Sequence, residues 1–301
     1  MTDGPGLITG GTGQLGRALA LTAPPDRRYH APPRDALDLA RPGDLPAILD
    51  RLRPAWIVNA AAYTDVDAAE KDETAAGLIN AEAPRVLTAW AAENGVRLIH
   101  ISTDFVFGHG PHLPIQPDMP VAPLNAYGRT KAAGEARVRD TMPNAVILRT
   151  SYLYGPDFGT GFVDRMLAAA LKREVLQVVT DQTGSPTAAP DLARLIWAIL
   201  AQPMTGGGIH HAACRGAASR YDLIAEALEL ARGQGVPIRC ARLEPVASDR
   251  FPSPARRPDY SALDSSGLDQ IFGVGMPAWQ HALRDHVTAI APDLRRLAAK
   301  A

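Results

Sequence analysis

The pair of residues in this chain best suited to chemistry is a tyrosine and a lysine four positions apart, Tyr127 and Lys131. Residues at i and i+4 share one face of a helix, so a phenol and an ammonium can act together there. A free tyrosine has a pKa of about 10, and we expect the nearby ammonium to favour the phenolate and lower that pKa. The pair therefore predicts a proton donor for a carbonyl oxygen that gains negative charge.

A second group with suitable chemistry lies upstream, where Ser102, Thr103 and Asp104 end an apolar run that reads as a buried strand. We expect the Thr103 hydroxyl to bond a substrate carbonyl oxygen and orient it, beside Tyr127. The Tyr-x-x-x-Lys spacing also arises by chance as a plain contact on a helix surface. A glycine loop at residues 10–16, then Ser102 and Thr103, then the tyrosine–lysine pair follow in this order along the chain. This combination favours a catalytic set of Thr103, Tyr127 and Lys131.

The N-terminal segment carries glycines at the spacing GxxGxxG, directly after a short apolar run at Leu7–Thr9. Such glycines allow a tight turn and a close approach of backbone to phosphate, and the following helix aims its first amides at that phosphate. A plain structural turn is the alternative interpretation. The residues of this loop predicted to contact a dinucleotide are Gly10, Gly13, Gln14, Leu15 and Gly16.

Further cofactor contacts are predicted at the ends of two later strands. Arg34 is placed to contact a 2′-phosphate, which would favour NADPH over NADH, or it is simply a solvated arginine. Asp38 and Leu39 are expected beside the adenine. Small side chains follow the strand predicted at Trp56–Asn59 and suit a floor under the nicotinamide, although packing alone also explains them. The residues of this second group are Ala60, Ala61, Ala62, Tyr63 and Thr64.

Short apolar runs alternate with helical patterns through the first half of the chain, as expected for a parallel sheet with helices on both faces. We therefore predict an α/β protein with a Rossmann-like, doubly wound parallel sheet and a smaller C-terminal substrate-binding region. Residues 1–155 are assigned to the cofactor-binding part. Residues 156–301 are assigned mainly to the substrate, with some segments returning to the main sheet. In the first half, strands are predicted at 7–9, 28–31, 56–59, 97–101 and 145–149. Helices are predicted there at 14–22, 45–52, 75–93 and 127–141. In the second half, helices are predicted at 161–173, 190–201 and 221–231, and short apolar runs lie at 176–179 and 208–211.

The bulk composition limits the possible partners. The 301 residues are 46% hydrophobic, and 31 basic against 32 acidic residues give a net charge of −1. That balance argues against nucleic acid or an anionic membrane as the partner. The two cysteines, Cys214 and Cys240, lack metal-site or disulfide spacing. With no signal pattern at the N-terminus, these features favour the cytoplasm.

The motifs taken together resemble a known family, the dTDP-4-dehydrorhamnose reductases, within the extended short-chain dehydrogenases/reductases. The resemblance covers nearly the whole chain, from about Leu7 to Trp279. The segments that carry it are the glycine loop, Asn59–Ala62, Ile101–Asp104, Pro123–Lys131, Leu148–Ser151, Asp181–Gln182, Gly184–Thr187 and Pro254–Pro258.

The resemblance implies reduction by NADPH or NADH of a 4-keto-6-deoxyhexose attached to dTDP. By the same resemblance, Thr103, Tyr127 and Lys131 take the catalytic roles, and the first target is dTDP-4-dehydrorhamnose, giving dTDP-L-rhamnose. The substrate-binding residues that it implies are Thr103, Asp104, Phe105, Tyr152 and Arg257.

Two positions depart from the family pattern. Phe105 stands where a tyrosine is common, and Tyr152 stands where a tryptophan is common. Both positions are associated with the sugar pocket. The missing hydroxyl at Phe105 changes a hydrogen bond, and the smaller ring at Tyr152 changes the packing of the pocket wall. A related dTDP-deoxysugar of a secondary metabolite, such as dihydrostreptose, is therefore an alternative substrate.

Other residues suggest sites that we weigh against simpler roles. Arg256 and Arg257 are candidates to hold the dTDP diphosphate, or they are surface charges on a proline-rich loop. Some family members bind Mg²⁺ through glutamates at a dimer interface, but the matching positions here are Ala18, Pro190 and Gln280. We therefore expect no metal and a monomer or weak homodimer.

Two other functional classes remain open. A cofactor-binding regulatory subunit without catalysis, like the partner of methionine adenosyltransferase in the same fold family, would bind NADP(H) and dock a second protein. A nucleotide-sugar epimerase or 4,6-dehydratase would also use Tyr-x-x-x-Lys. Dehydratases add an acidic pair beside the catalytic threonine, whereas here Asp104 precedes Phe105.

Overall fold

The computed structural model describes residues 4–109, 112–159, 161–203 and 206–300. Residues 1–3, the start of the segment considered for a signal pattern, lie outside these ranges. The strands are β1 (Gly6–Thr9), β2 (Tyr29–His30), β3 (Trp56–Asn59), β4 (Arg97–Thr103), β5 (Val146–Thr150), β6 (Leu153–Tyr154), β7 (Val175–Val179), β8 (Thr183–Gly184), β9 (Thr187–Ala188), β10 (Gly208–His211), β11 (Ala218–Ser219) and β12 (Arg242–Val246). The α-helices are α1 (Gln14–Leu21), α2 (Leu45–Leu52), α3 (Val66–Lys71), α4 (Glu73–Gly77), α5 (Ala83–Glu93), α6 (Ala126–Thr141), α7 (Phe162–Ala170), α8 (Ala189–Ala201), α9 (Arg220–Gly233), α10 (Leu268–Phe272) and α11 (Trp279–Ala298).

The central sheet has six parallel strands in the order β2-β1-β3-β4-β5-β10. The chain leaves β1 in one direction to form β2 and then returns to the other side for β3, β4 and β5. A sheet of this kind binds ligands outside the carboxyl ends of its strands, at the point where the order reverses. The predicted Rossmann-like α/β fold is confirmed.

Helices cover both faces of the sheet because its strands are apolar on both sides. The short strand β3, for example, is buried at all four positions, as expected for a strand between two helical layers. One core cluster packs α1, α7, α8, α9 and α11 against one face. A second cluster packs α2, α5 and part of α6 against the other.

Segments of the second half form three small two-stranded sheets beside the main one. β7 pairs with β12 and β6 with β9, both in parallel, and β8 pairs with β11 antiparallel. The strand β10 departs from this pattern because it pairs with β5 and completes the central sheet. The proline-rich segment after β12 folds back over α3 through side-chain hydrogen bonds to Asp67.

The long helix predicted over 75–93 is interrupted. It consists of α4, a π-helical turn at Leu78–Glu82 and then α5, which has a proline in its first turn. A π turn inserts one extra residue per turn and rotates the side chains that follow it. Here it buries Asn80, whose contacts are described below.

A buried ion pair fastens α6 to the sheet. Arg149 of β5 donates hydrogen bonds of 2.8 and 2.7 Å to the two carboxylate oxygens of Glu135, and the Arg149 guanidinium also donates to the carbonyl of Pro117. Removing one partner of such a pair leaves a buried charge without compensation. The pair therefore fixes α6, which carries Tyr127 and Lys131, relative to β5.

Within the described ranges, no helix combines the length and the apolar character needed to cross a lipid bilayer.

Candidate active site

A cleft of about 760 Å³ opens along the carboxyl ends of the central strands. It is bounded by the glycine turn after β1, the ends of β3, β4 and β5, the start of α6, and the first turns of α7 and α9. The sequence-predicted residues that line it are Gly10, Gly13, Gln14, Leu15, Gly16, Arg34, Asp38, Leu39, Ala60, Ala61, Ala62, Thr64, Thr103, Asp104, Phe105, Tyr127, Lys131, Tyr152 and Arg257. Among the residues predicted at the site, Tyr63 and Arg256 do not line the cleft.

The glycine turn brings its backbone and the first turn of α1 into close contact. Gly10 has φ +69°, a conformation that L side chains rarely adopt. A Cβ on Gly16 would lie 2.2 Å from the carbonyl oxygen of Gly10, so only glycine fits there. The resulting turn exposes the first amides of α1 to the cleft, which is an arrangement suited to a phosphate.

Unpaired buried polar atoms line the same cleft. The side-chain oxygens of Gln14, Ser102 and Thr150 are buried and lack a hydrogen-bond partner within the described part of the chain. Buried polar atoms are almost always paired in folded proteins, so these three fit contacts to a polar ligand. Together with the glycine turn they fit a nicotinamide dinucleotide, which supplies a hydride when bound.

The predicted adenosine end of the cleft is exposed. The Arg34 side chain is 75% exposed, and its Nε lies 3.4 Å from the Asp38 carboxylate. Arg34 is therefore free to move toward a ligand, but it already has an acidic neighbour.

A polar network lies below the cleft and joins three strands. The Thr9 hydroxyl donates to the Asn59 amide oxygen at 2.6 Å, and the Asn59 amide nitrogen lies 3.0 Å from His100 Nδ1. Burial, with a smaller contribution from the Lys131 charge, lowers the pKa of His100 well below its usual range. His100 is therefore neutral, and its Nδ1 accepts the hydrogen bond from Asn59.

Tyr127 and Thr103 meet at the end of β4. The Thr103 hydroxyl lies near the Tyr127 phenol and acts to lower its pKa, and the ring of Phe105 stands nearly perpendicular to the Tyr127 ring with centroids 5.7 Å apart. Asn125 caps α6 by accepting a hydrogen bond from the Gly128 amide at 2.8 Å. The cap fixes the first turn of α6 and with it the direction of the Tyr127 phenol.

The expected direction of the Tyr127 pKa is wrong for the protein as folded. Burial raises the pKa of Tyr127 to about 12, the neighbouring Thr103 hydroxyl offsets part of this rise, and the Asp104 charge adds to it. Lys131 does not counteract the burial. Tyr127 therefore stays a neutral phenol across the physiological range, which is the state that a proton donor in a reduction requires.

Lys131 is buried, and its ammonium donates a hydrogen bond of 2.6 Å to the carbonyl oxygen of Ile101. Burial lowers the pKa of Lys131 to about 8, against a smaller opposing effect of Glu135. The ammonium thus remains charged at neutral pH.

Asp104 is held by three hydroxyls. Ser151 and Ser261 donate to one carboxylate oxygen at 2.9 and 2.6 Å, and Thr103 donates to the other at 3.0 Å. Burial raises the pKa of Asp104, and these three hydrogen bonds oppose the rise. Because Ser261 comes from the C-terminal part of the chain, Asp104 connects the predicted substrate region to the end of β4.

Arg257 lines the cleft but is tied to a carboxylate. It donates to Asp67 at 2.9 Å and to the carbonyl oxygen of Ala255 at 3.1 Å. Asp67 also accepts from the Ala255 amide and the Ser253 hydroxyl. The structure thus gives Arg257 a role in holding the proline-rich segment against α3.

Tyr152 occupies a strained position in the cleft wall. Its φ is +45°, the left-handed region that glycine favours. The ring packs against Gly184, where a Cβ would lie only 2.8 Å from it.

The two adjacent histidines of β10 point in different directions, as expected in a strand. His210 Nε2 lies 2.7 Å from the carbonyl oxygen of Gly206. The His211 ring packs edge-on against Phe107. Within the described ranges, no group of three or more His, Cys, Asp or Glu side chains is placed to hold a metal ion.

Two residues at the site were missed by reasoning from the sequence. Asn80 accepts from the Tyr63 amide at 2.8 Å and donates to the Tyr63 carbonyl and to Thr130 of α6, both at 3.1 Å. Arg220, the first residue of α9, lines the cleft and lies over the ring of Tyr152. An asparagine inside a helical pattern is a weak signal for Asn80, and nothing local signals Arg220.

The sheet order, the glycine turn and the Thr103–Tyr127–Lys131 group in one cleft define a protein of the extended short-chain dehydrogenase/reductase class. The family described as RmlD substrate binding domain matches residues 6–291. The chain belongs to this family, which confirms the resemblance found in its motifs.

Several relatives cover nearly the whole chain. A probable dTDP-4,6-dihydroxy-2-methyloxan-3-one 4-ketoreductase of Streptomyces antibioticus is 41% identical over 307 residues, which cover 97% of this chain and 99% of the relative. A dTDP-4-dehydrorhamnose reductase of Burkholderia thailandensis is 35% identical over 92% of this chain and 96% of the relative. A crystal structure of dTDP-4-dehydrorhamnose reductase from Bacillus anthracis in complex with NADP has a TM-score of 0.88 at 31% identity, and the match covers 95% of this chain and 99% of that one.

Proposed function

We propose that this protein uses NADPH or NADH to reduce the C4 ketone of a dTDP-4-keto-6-deoxyhexose, with dTDP-4-dehydrorhamnose as the first candidate and dTDP-L-rhamnose as the product. The observation that carries the proposal is that Thr103, Tyr127 and Lys131 line the same cleft as the glycine turn. The names of the relatives and the NADP in the B. anthracis structure support the same reaction.

In this reaction each residue of the chain has a defined task. The Thr103 hydroxyl, which here donates to Asp104, rotates to donate to the substrate ketone and orients it. Tyr127 gives its proton to the ketone oxygen as the hydride from the bound cofactor reaches C4, so that a ketone becomes an alcohol. Tyr127 and Lys131 are assigned to the cofactor as well, because the Lys131 ammonium would bond the nicotinamide ribose and bring a positive charge beside the reacting groups.

The cofactor is assigned to the glycine turn, to Arg34, Asp38 and Leu39, and to the segment 60–64. In that segment Tyr63 does not line the cleft, and its backbone amide and carbonyl are bonded to Asn80, which holds the segment in place. Asp104, Phe105 and Tyr152 face the sugar side, with Arg257 at the margin. We assign residues 1–155 mainly to the cofactor and 156–301 mainly to the substrate.

The test is oxidation of NADPH by the purified protein with dTDP-4-dehydrorhamnose, followed by NMR identification of the sugar product. Consumption of one NADPH per dTDP-L-rhamnose formed is the expected result. Tight NADPH binding without oxidation, with any dTDP-4-keto sugar, would instead support the non-catalytic regulatory subunit.

A second candidate is reduction of another dTDP-4-keto sugar, made for a secondary metabolite. It is favoured by Phe105 and Tyr152, which depart from the family pattern, and by the S. antibioticus relative at 41% identity. A relative from Streptomyces niveus, 37% identical, is described as a dTDP-4-keto-6-deoxy-D-glucose reductase. Comparing kcat/KM across a panel of dTDP-4-keto sugars separates the two candidates, since the true substrate should exceed the others by at least about tenfold.

We further infer that the protein works in the cytoplasm as a monomer or weak homodimer. Cys214 and Cys240 are both free thiols and buried, which suits a reducing compartment. Sedimentation equilibrium over a range of protein concentrations measures the oligomeric state.

A further inference from the structure

Arg220 occupies an unusual position at the rim of the cleft. Its guanidinium carbon lies 4.6 Å from the centroid of the Tyr152 ring and 5.0 Å from that of Phe162. Its Nε donates to the side-chain oxygen of Gln182 at 3.1 Å. Two aromatic rings and one amide thus fix the orientation of the guanidinium group, while its two terminal nitrogens make no hydrogen bond to the described residues.

The charge of Arg220 also lacks a carboxylate partner in the part of the chain that the structure describes, unlike the charges of two other arginines of the cleft. Arg34 lies beside Asp38, and Arg257 is paired with Asp67. Arg165 also lines the cleft but is exposed to solvent. Arg220 is therefore an oriented, uncompensated positive charge in the cleft wall.

Stability of α9 does not explain this charge. Arg220 is the first residue of the helix, where the positive end of the helix dipole disfavours a cation. The cap of α9 is made without it, because Ser219 and Asp222 form a reciprocal capping box. The guanidinium at this position thus opposes the local electrostatics of its own helix.

Arg220 stands where the main cleft adjoins a second groove of about 510 Å³. Arg220 and Phe162 line both. The second groove is mostly apolar and runs between α7 and β7 toward Phe251, whose side chain is half exposed. Its other lining residues are Met166, Ala169, Arg173, Val175, Leu176, Gln177, Val178 and Val179.

These observations deepen the proposed function and rest on it. We propose that Arg220 binds the diphosphate of the dTDP-linked substrate, with the sugar toward Tyr127 and the thymidine in the groove between α7 and β7. A planar guanidinium presents parallel N–H donors that match phosphate oxygens, and its aromatic neighbours hold it in place before the ligand arrives. The thymine base of the nucleoside is flat and carries a methyl group, and its faces suit a mostly apolar groove.

Calorimetric titration with dTDP tests the assignment without any need for turnover. Arg220→Met keeps the apolar stem against the two rings and removes the charge, so the Kd for dTDP should rise by at least about tenfold. Arg220→Lys keeps the charge but not the planar guanidinium, so its Kd for dTDP should lie between those of wild type and Arg220→Met. Arg194→Met removes an arginine that is 64% exposed on α8, and it should leave the Kd unchanged.

Binding of NADPH to the same variants separates a ligand contact from a role in folding. The assignment predicts unchanged NADPH affinity and, with the keto sugar, a raised KM at nearly constant kcat. A Kd for dTDP within about twofold of wild type in Arg220→Met would overturn it. So would a parallel loss of NADPH affinity in both Arg220 variants, because that pattern belongs to a purely structural residue. If wild type binds dTDP through Arg220 yet oxidises NADPH with no dTDP-4-keto sugar, the proposed reaction fails and the diphosphate site stands.

Discussion

The Lys131 ammonium donates a 2.6 Å hydrogen bond to the backbone carbonyl of Ile101. This contact ties the first turns of α6 to β4, the strand that ends at Thr103. It therefore fixes the spacing between the hydroxyls of Tyr127 and Thr103, which come from two different elements. The lysine supplies positive charge and also holds the proton donor in register with the group that orients the ketone.

The pH dependence of catalysis should follow Lys131. Its pKa is lowered by burial to about 8, so the ammonium is present below that pH and is lost as the pH rises through it. We expect kcat/KM to fall on the alkaline side with a midpoint near pH 8, while Tyr127, with its pKa raised to about 12, remains protonated. The measurement is kcat/KM for the keto sugar across the pH range in buffers of constant ionic strength.

The effect of the same lysine on stability has the opposite sign. The folded state disfavours charged Lys131, so its contribution is most unfavourable below pH 8 and is relieved as the pH rises toward the unfolded value of 10.5. An alkaline loss of activity accompanied by global unfolding would therefore contradict this explanation. A profile that stays flat to about pH 10 would also rule it out.

Replacing Tyr127 with phenylalanine should lower kcat by about 10²- to 10⁴-fold, because the proton donor is removed while the ring remains. NADPH affinity should change little. The matched control is Tyr29→Phe in β2, whose ring packs against Trp197 away from the cleft, and which should keep normal turnover. Near-normal turnover of the Tyr127 variant would remove this residue from the mechanism.

Replacing Gly16 with alanine should weaken NADPH binding by at least about tenfold, because overpacking at the turn must displace backbone. The new Cβ would meet the Gly10 carbonyl oxygen at 2.2 Å, whereas a Cβ on Gly43 would have no neighbour within 4 Å. Gly43→Ala is therefore the control, and fluorescence titration with NADPH measures both. Equal affinities in the two variants would show that the turn does not contact the cofactor.

Asp67→Ala should release the proline-rich segment, since Asp67 holds Ser253, the Ala255 amide and Arg257 at once. These contacts are partly exposed, so we expect a rise in KM for the keto sugar of only about three- to tenfold with NADPH affinity retained. The hydrogen bonds lower the pKa of Asp67 in spite of partial burial. The contacts between Asp67 and the proline-rich segment are therefore intact at neutral pH. They weaken only as the pH falls below the usual pKa of an aspartate. Steady-state kinetics with the keto sugar and NADPH varied in turn measure both KM values. A loss of NADPH affinity would contradict the prediction.

Asn80→Ala should destabilise the fold by about 1–3 kcal/mol, because it removes three hydrogen bonds and leaves the backbone amide and carbonyl of Tyr63 without their partner. Urea unfolding measures the change. Asn94→Ala, which removes a single bond to the Trp90 carbonyl at a helix end, is the milder comparison. Equal losses of unfolding free energy in the two variants would mean that Asn80 in the π turn contributes no more than a single hydrogen bond at a helix end.

Local patterns in the sequence predicted most of the sheet. Strands such as Trp56–Asn59 are short apolar runs bounded by polar or turn residues, and that signal requires no knowledge of distant contacts. The π-helical turn at Leu78–Glu82 could not be predicted, because it depends on the packing of α6 against that turn. The glycine turn and the Tyr-x-x-x-Lys pair were predictable for the same reason as the strands, since each lies within one short segment.

The electrostatics of the site and the environment of Arg220 were not predictable. Spacing placed Lys131 beside Tyr127, but the pKa of each depends on burial by neighbours from several elements. Arg220, Tyr152 and Phe162 are separated by 10 to 68 positions in the chain, and they converge through tertiary packing. Arg257 had the more suggestive motif, yet its charge is already matched by Asp67.

The pairing of β10 with β5 bears on how this molecule can be divided. A fragment that stopped after β6 would leave the backbone amides and carbonyls along one side of β5 without neighbours, and such an edge recruits other chains. The nucleotide half would then be prone to self-association, even with its glycine turn and Tyr127 intact. Evolution of a new sugar preference in the later part of the gene must therefore conserve one four-residue strand that never meets the sugar.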